Sequence, residues 1–243
     1  AATRTWLSSA GGLWTSTANW QDGLLPGAND TADLSAVTGT NTIDLTADVT
    51  VGEFLYNPVF SGTTNALTIK SDTAAPSSRT ITLSNTATSP DHVQAGTGAV
   101  LIFDANLSLS DAMYKDGYGI VDLKRNLVAT TTRHVYVEQG KLLVGGAFLN
   151  GYGGNNFYVG RPNSDTGAPY PELVLRNGAL STKGENLILG GNRLAASSIN
   201  AHGVVTQTGG LFDRTSSGTS APFLNAFYTG STSVYNLVSG TLN

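Results

Sequence analysis

Short runs of alternating apolar and polar residues recur along the chain from about residue 40 onward. Residues 42–45, 49–51, 67–69, 81–83 and 107–109 place apolar side chains at i and i+2, with Thr, Ser or Asp between them. This period of two is typical of half-buried β-strands of three to five residues. No window of about 12 residues holds a convincing amphipathic helix. The pattern therefore predicts an all-β protein built of short strands.

Four strand-like segments in the second half each end on a glycine that is followed by Leu or Phe two residues later. These glycines are Gly140, Gly178, Gly210 and Gly240, at spacings of 38, 32 and 30 residues (178 − 140, 210 − 178, 240 − 210). A strand unit that recurs at this period is typical of a stacked solenoid. Glycine suits the corner of each repeat, where φ is often positive. The spacing therefore predicts a parallel β-helix whose corner glycines lie one above another.

A second ladder supports this stacked arrangement. Residues 157–160, 187–190 and 227–230 each end an apolar run on a glycine, so equivalent strands are expected to lie in register. The distance between the two ladders varies, which predicts loops of different length. A β-sandwich is the alternative fold, mainly for residues 1–100, where the repeat is weak.

Residues 1–35 differ from the rest of the chain because they hold all three tryptophans, Trp6, Trp14 and Trp20. The favoured interpretation is a Trp-rich cap that covers the open end of the apolar column, followed by one continuous solenoid over residues 36–243. The alternative is a sugar-binding platform, since flat aromatic faces stack on pyranose rings. The two interpretations differ in whether the indole faces are buried or exposed.

Composition and charge restrict the partners and the location. Only 12% of the 243 residues are charged, about half of the roughly 25% usual for soluble domains. The net charge is −4 without any basic run, which disfavours nucleic acid as a partner. No apolar stretch approaches the ~20 residues that span a bilayer, and the absence of cysteine excludes disulfides and thiolate metal sites. The first residues, Ala1 and Ala2, fit either a mature terminus after removal of a signal peptide or a trimmed chain.

Two segments carry a resemblance to a known family. The first contains Trp6, Gly11-Gly12-Leu-Trp14, Asn19-Trp20, Gly23, Pro26 and Asp30-Thr-Ala32, and the second is Tyr235-Asn-Leu237-Val-Ser-Gly240-Thr-Leu242. Together they resemble bacterial surface proteins built of autotransporter-associated β-strand repeats. The resemblance implies a right-handed parallel β-helix that is exported and displayed outside the bacterial cell, and it implies no catalytic residues. The repeats here are looser than is usual for that family.

Candidate chemistry is sparse. Asp30 and Asp33 are weak candidates for a Ca²⁺ site, but Asp and Asn also form turns through bonds to their own backbone, and a turn is favoured. The charge-rich window 111–134 holds the residue types that a β-helical polysaccharide lyase uses to remove a proton next to a uronate carboxylate. An enzyme would draw on Lys115, Arg125 and His134, although the same window is equally typical of a solvated face.

The sequence thus favours a non-catalytic, extracellular structural protein that forms a stalk, fibre, filament or adhesive layer. The chain stops within a repeat, at Asn243, and an uncapped coil exposes an unpaired edge. We expect that edge to be covered by the rest of a longer parent chain, by a separate partner, or by another copy stacked head to tail. No cofactor is expected. The alternatives are a β-helical polysaccharide lyase or hydrolase and a glycan-binding module that uses the three tryptophans.

Overall fold

A computed structural model of the protein describes residues 2–72, 79–86, 91–129, 134–150, 156–160, 170–177, 179–181, 186–189, 202–213, 224–225 and 232–242. In these residues, β-strands predominate and helix is confined to two short 3-10 turns, Thr17–Asn19 and Gln21–Gly23. The prediction of an all-β protein is therefore confirmed. In chain order the strands are β1 (Thr3–Thr5), β2 (Gly12–Leu13), β3 (Thr31–Asp33), β4 (Thr40–Leu45), β5 (Val49–Val51), β6 (Glu53–Tyr56), β7 (Asn65–Ser71), β8 (Thr80–Leu83), β9 (Asp91–Ala95), β10 (Ala99–Asp104), β11 (Asn106–Leu109), β12 (Met113–Asp116), β13 (Ile120–Leu123), β14 (Leu127–Ala129), β15 (Val135–Val137), β16 (Lys141–Val144), β17 (Phe148–Asn150), β18 (Asn156–Val159), β19 (Glu172–Leu175), β20 (Ala179–Ser181), β21 (Asn186–Leu189), β22 (His202–Asp213), β23 (Leu224–Asn225) and β24 (Thr232–Leu242).

The strands form three parallel sheets. Sheet 1 has the order β1-β3-β6-β9-β12-β15-β18-β21-β23. Sheet 2 has the order β2-β4-β7-β10-β13-β16-β19-β22, and sheet 3 has the order β5-β8-β11-β14-β17-β20-β22. The long strand β22 joins sheets 2 and 3, since residues 204–207 pair with β19 and residues 211–213 pair with β20. A β-sandwich is built from antiparallel sheets, so the sandwich alternative is wrong for the strands that the structure describes.

From β3 onward the chain passes through sheets 1, 2 and 3 in rotation. Paired residues in sheet 2 are separated by as few as 20 positions (Val100 and Ile120, 120 − 100) and as many as 34 (Ala66 and Val100, 100 − 66). The loops absorb this difference, because the strand lengths change little between turns. This topology is compatible with a parallel β-helix, and the variable turn length explains why the repeat in the sequence is loose.

The core is a set of columns in which equivalent residues of successive turns lie in register. One fully buried column in sheet 2 runs through Leu67, Leu101, Val121, Leu142, Leu173 and Val205. The neighbouring residues along each strand are mostly half-buried, as the period of two predicts, and they include apolar side chains such as Ile102 and Val174 as well as polar ones. The second predicted ladder is confirmed for Phe157 and Leu187, which pair in sheet 1. Its third member, at residues 227–230, lies outside the described residues.

The corner glycines occupy two corners rather than one. Gly140 directly precedes β16, and a Cβ atom at this position would lie 2.3 Å from the carbonyl oxygen of Gly119. Gly210 and Gly240 instead lie together between sheets 2 and 3, with positive φ angles of 73° and 101°. Gly178 lies outside the described residues. The prediction of a single glycine column is therefore wrong for Gly140, because the same short phrase arises wherever a strand follows either corner.

The tryptophans lie inside the N-terminal end of the stack. Trp6, Trp14 and Trp20 are 0%, 1% and 1% exposed. Their rings pack edge to face, with centroids 5.0 Å apart for Trp6 and Trp20 and 4.9 Å apart for Trp14 and Trp20. The ring of Phe54 continues this aromatic cluster at 5.9 Å from Trp14. The strands β1, β2 and β3 of the same segment pair directly with sheets 1 and 2.

Candidate functional site

The charge-rich window 111–134 corresponds to one turn of the chain, since Met113 pairs with Val135 in sheet 1. Within this turn Lys115 lies in β12 near the passage from sheet 1 to sheet 2, and Arg125 lies between β13 and β14. His134 directly precedes β15. The structure therefore does not bring these three residues together. The residues of a window that is one turn long are distributed over all three sheets. Residues that are close in sequence therefore need not form a common site here.

Lys115 is an interior residue with 0% exposure. Its Nζ donates hydrogen bonds to the carbonyl oxygens of Asp116 at 2.8 Å, Gly117 at 2.7 Å and Gln139 at 2.9 Å. The three N–H donors of the ammonium group thus bind three backbone carbonyl groups, which point into the interior at this corner. Burial lowers the pKa of Lys115 to about 7, and the nearby Asp116 carboxylate opposes this shift. Lys115 holds the corner together and has no access to a substrate.

Gln207 plays the same part at the corner between sheets 2 and 3. It is fully buried, and its Nε2 lies 3.4 Å from the carbonyl oxygen of Gly209, 3.2 Å from that of Gly210 and 3.1 Å from that of Thr241. A long polar side chain beside a corner therefore binds the inward carbonyl groups at two different corners. Sequence reasoning missed both roles, because a polar residue in an alternating run is normally assigned to the outer face.

A stack of tyrosines covers part of the outer face of sheet 1. Tyr114, Tyr136 and Tyr158 pair in register, and successive ring centroids are 4.5 Å and 4.6 Å apart at interplanar angles of 13° and 11°. The ring of His134 packs edge-on against Tyr136 and Tyr158. His92 precedes the stack, and the hydrogen bond of its Nδ1 with the Asp116 carboxylate raises its pKa against the effect of burial. The ring faces cover one another, so the stack stabilises the sheet.

Arg125, in contrast, belongs to a cavity. A cavity of about 270 Å³ lies at the corner between sheets 2 and 3, lined by Lys124, Arg125, Gly145, Arg176 and Asn177. Arg125 Nε donates to Asp104 Oδ1 at 2.6 Å, and Arg176 Nη2 donates to Asp122 Oδ1. Burial raises the pKa of Asp122, while Arg176 and Lys124 oppose that shift. Three cations and two carboxylates therefore meet at this corner.

The cavity arises from one missing side chain. Lys124 N–H donates to the Phe103 carbonyl, Gly145 N–H to the Leu123 carbonyl and Arg176 N–H to the Val144 carbonyl. Lys124, Gly145 and Arg176 therefore occupy the same position in three successive turns. Because Gly145 has no side chain, the Arg176 side chain can cross this turn to reach Asp122, and a Cβ atom at position 145 would lie 3.8 Å from Arg176 Nη2. The surface beside Gly145 is therefore a depression between two cations. We call this feature, lined by Lys124, Arg125, Gly145, Arg176 and Asn177, the cationic gap.

The two glycines at this corner are expected to respond differently to substitution. At Gly145 a Cβ atom would meet its nearest neighbour, the Leu123 carbonyl oxygen, at 3.4 Å, whereas at Gly146 it would lie 2.2 Å from the Arg125 carbonyl group. Gly146→Ala should thus lower the free energy of unfolding by about 1–3 kcal/mol through overpacking, and Gly145→Ala by less than about 0.5 kcal/mol. Urea denaturation followed by circular dichroism measures both values, and equal effects would contradict the stacking of this corner on the Arg125 backbone.

The predicted sugar platform is not formed by the tryptophans. A platform needs an exposed ring face, and Trp6, Trp14 and Trp20 are at most 1% exposed. Their indole nitrogens are also engaged where hydrogen bonds are observed: Trp6 donates to the Ala10 carbonyl and Trp20 to the Trp14 carbonyl. The glycan-binding alternative therefore loses the residues that were proposed for it.

The two candidate calcium ligands, Asp30 and Asp33, accept hydrogen bonds from backbone N–H groups of the N-terminal segment. Asp30 accepts hydrogen bonds from the N–H groups of Ala2 at 2.8 Å and Gly27 at 3.2 Å. Burial raises the pKa of Asp30, but these bonds and the neighbouring Arg4 outweigh it, so the net shift is downward. Asp33 accepts from Ser35 N–H at 3.0 Å, which is a turn within the loop. Among the described residues, no three His, Asp or Glu side chains converge in a way that could hold a metal ion.

Comparisons with known proteins do not extend this picture. No family model, no curated protein and no solved structure matches the chain. The resemblance to autotransporter-associated repeats therefore stays a prediction from the two sequence segments. In the described part of the chain, no helix has the length and apolar character needed to cross a membrane.

Proposed function

We propose that the protein is a non-catalytic, extracellular structural protein of the bacterial surface, in which a right-handed parallel β-helix stacks into a stalk, fibre or adhesive layer. The observation that carries the proposal is the rotation of the chain through three parallel sheets around one buried apolar core. Such a coil grows by adding turns, and each added turn pairs its backbone with the turn before it. The location outside the cell rests on the resemblance of the N-terminal and C-terminal segments.

The strand β24, which lies outermost among the described strands, supports growth by stacking. It pairs with β22 along one edge, and no strand within the described residues pairs with its other edge. Leu237 and Val238 on this strand are 52% and 70% exposed. An unpaired edge with exposed apolar residues favours the addition of another strand. We propose that the leading strands of a second copy cover it, which gives a head-to-tail assembly that does not close.

Sedimentation and electron microscopy of the purified chain test this assembly. The nine strands of sheet 1, at a spacing of ~4.8 Å, span roughly 40 Å, so stacked copies should appear as rods longer than this. The mean mass should rise with protein concentration. A monomer of constant mass at every concentration would contradict self-stacking, and the edge of β24 would then be assigned to further turns of a longer chain.

Matched variants show whether the β24 edge carries the contact. The double variant Leu237→Lys and Val238→Lys should weaken assembly about tenfold or more, because lysines at an edge strand oppose strand addition. The control Val59→Lys and Tyr170→Lys changes two other exposed residues, 84% and 53% accessible, and adds the same charge. Equal weakening by both double variants would assign the effect to net charge and count against the proposed edge.

A further inference from the structure

The cationic gap has a local charge that differs from that of the whole chain. The chain carries a net charge of −4, whereas Lys124, Arg125 and Arg176 outnumber Asp104 and Asp122 at this corner by three to two. The Arg125 and Arg176 side chains are 37% and 35% exposed, so a solute can reach them. Attraction of an anion to this corner therefore comes from a few groups at close range rather than from the field of the whole protein.

The two arginine side chains are held in an orientation that suits the binding of an anion. Asp104 binds Arg125 through Nε, and Asp122 binds Arg176 through Nη2, which leaves other N–H donors of both guanidinium groups free of these carboxylates. The Nε atom of Arg176 is buried without a hydrogen-bond partner. The two carboxylates thus fix the guanidinium groups without saturating them. Planar guanidinium groups held in this way match the paired oxygens of a carboxylate or sulfate.

We propose that the cationic gap binds an oxyanion, the carboxylate or sulfate group of an acidic sugar or a free inorganic anion of the same kind. The volume of about 270 Å³ lies just below the range of small-molecule sites, which suits the binding of one such group. The gap lies on the side of the coil, between turns, and it is separate from the β24 edge. The site therefore does not depend on the proposed self-assembly, and it would connect a surface protein to acidic polysaccharide.

Titration with defined probes tests the site in the full chain. The probes are trigalacturonate, the neutral trisaccharide maltotriose and inorganic sulfate, followed by amide NMR shifts and calorimetry. Saturable shifts at Lys124, Gly145 and Arg176 with trigalacturonate or sulfate, and none with maltotriose, are expected. Tighter binding of trigalacturonate than of sulfate assigns the acidic sugar as the source, and the reverse order assigns the free anion. Absence of saturable binding by either anion, or equal binding of maltotriose, overturns the proposal.

Two variants and one control locate the binding. Lys124→Gln should weaken anion binding about tenfold, which corresponds to the loss of ~1.4 kcal/mol, and Gly145→Leu should abolish it by filling the gap. Lys70→Gln is the control, because Lys70 pairs with Asp104 in register and so belongs to the same column, outside the gap. It removes the same charge and should change binding less than about twofold. Amide spectra establish that each variant is folded, and wild-type affinity in folded Lys124→Gln, or equal weakening by Lys70→Gln, overturns the proposal.

Discussion

Replacing Trp14 by alanine is expected to lower the free energy of unfolding by about 3–5 kcal/mol, the usual cost of removing a buried aromatic side chain. The Trp14 ring lies between two others: its centroid is 4.9 Å from that of Trp20 and 5.9 Å from that of Phe54. Trp14 is 1% exposed, so removal of its side chain leaves an interior cavity, and the side chains that line this cavity lose van der Waals contacts. It also removes edge-to-face contacts, which are worth about 0.5–1.5 kcal/mol beyond burial.

The neighbouring Leu13 supplies the control for this experiment. It is the last residue of β2, directly before Trp14, but it is 47% exposed, because successive side chains of extended backbone point to opposite faces. Leu13→Ala should therefore change the free energy of unfolding by less than about 1 kcal/mol. Urea denaturation followed by circular dichroism measures both variants. Equal losses would contradict an interior aromatic cluster, whereas a loss confined to Trp14→Ala is what a structural role of the segment requires.

Individual strands could be predicted from the sequence, because burial of one face of a strand makes apolar and polar residues alternate along it. Residues 49–51 coincide with β5, and residues 81–83 lie within β8. Residues 111–118 show no clear alternation in the sequence, yet they contain β12. Its alternation is hidden because the outward Tyr114 is covered by Tyr136 and the inward position holds Lys115, so neither side chain has the polarity that its face normally selects.

The cationic gap could not be read from the sequence, because it depends on the register between turns. The sequence identifies Arg125 as a candidate, but its neighbour Arg176 lies 51 positions further along the chain (176 − 125). The two intervening turns differ in length, since Ile120 pairs with Lys141 and Lys141 with Glu172, at separations of 21 and 31 positions (141 − 120 and 172 − 141). A fixed repeat would have aligned these residues in advance. Because the loops vary in length, the sequence does not show which residues of successive turns align. The alignment is seen only in the pairing of the strands.

Substituting Lys115 by methionine is expected to destabilise the protein by about 3 kcal/mol at neutral pH. Methionine fills a similar apolar volume, but the carbonyl oxygens of Asp116, Gly117 and Gln139 lose their shared donor. Each buried acceptor without a partner costs about 1–3 kcal/mol, and relief from burying an amine offsets part of that sum. The matched control is Lys70→Met, because Lys70 lies on the outer face of β7 with its side chain 46% exposed, and a change below about 1 kcal/mol is expected there.

The effect of Lys115→Met should also depend on pH, with a definite sign. The pKa of Lys115 falls from 10.5 to about 7 on folding, so between these values the unfolded chain binds a proton that the folded chain has released. Stability then rises with pH, by up to about 1.4 kcal/mol for each unit in this interval, and methionine removes the dependence. The difference between wild type and Lys115→Met, measured by urea denaturation at pH 6, 7.5 and 9, should therefore grow as pH rises. A difference that stays constant or shrinks would show that the folded protein keeps the charged ammonium group, held by its three carbonyl acceptors.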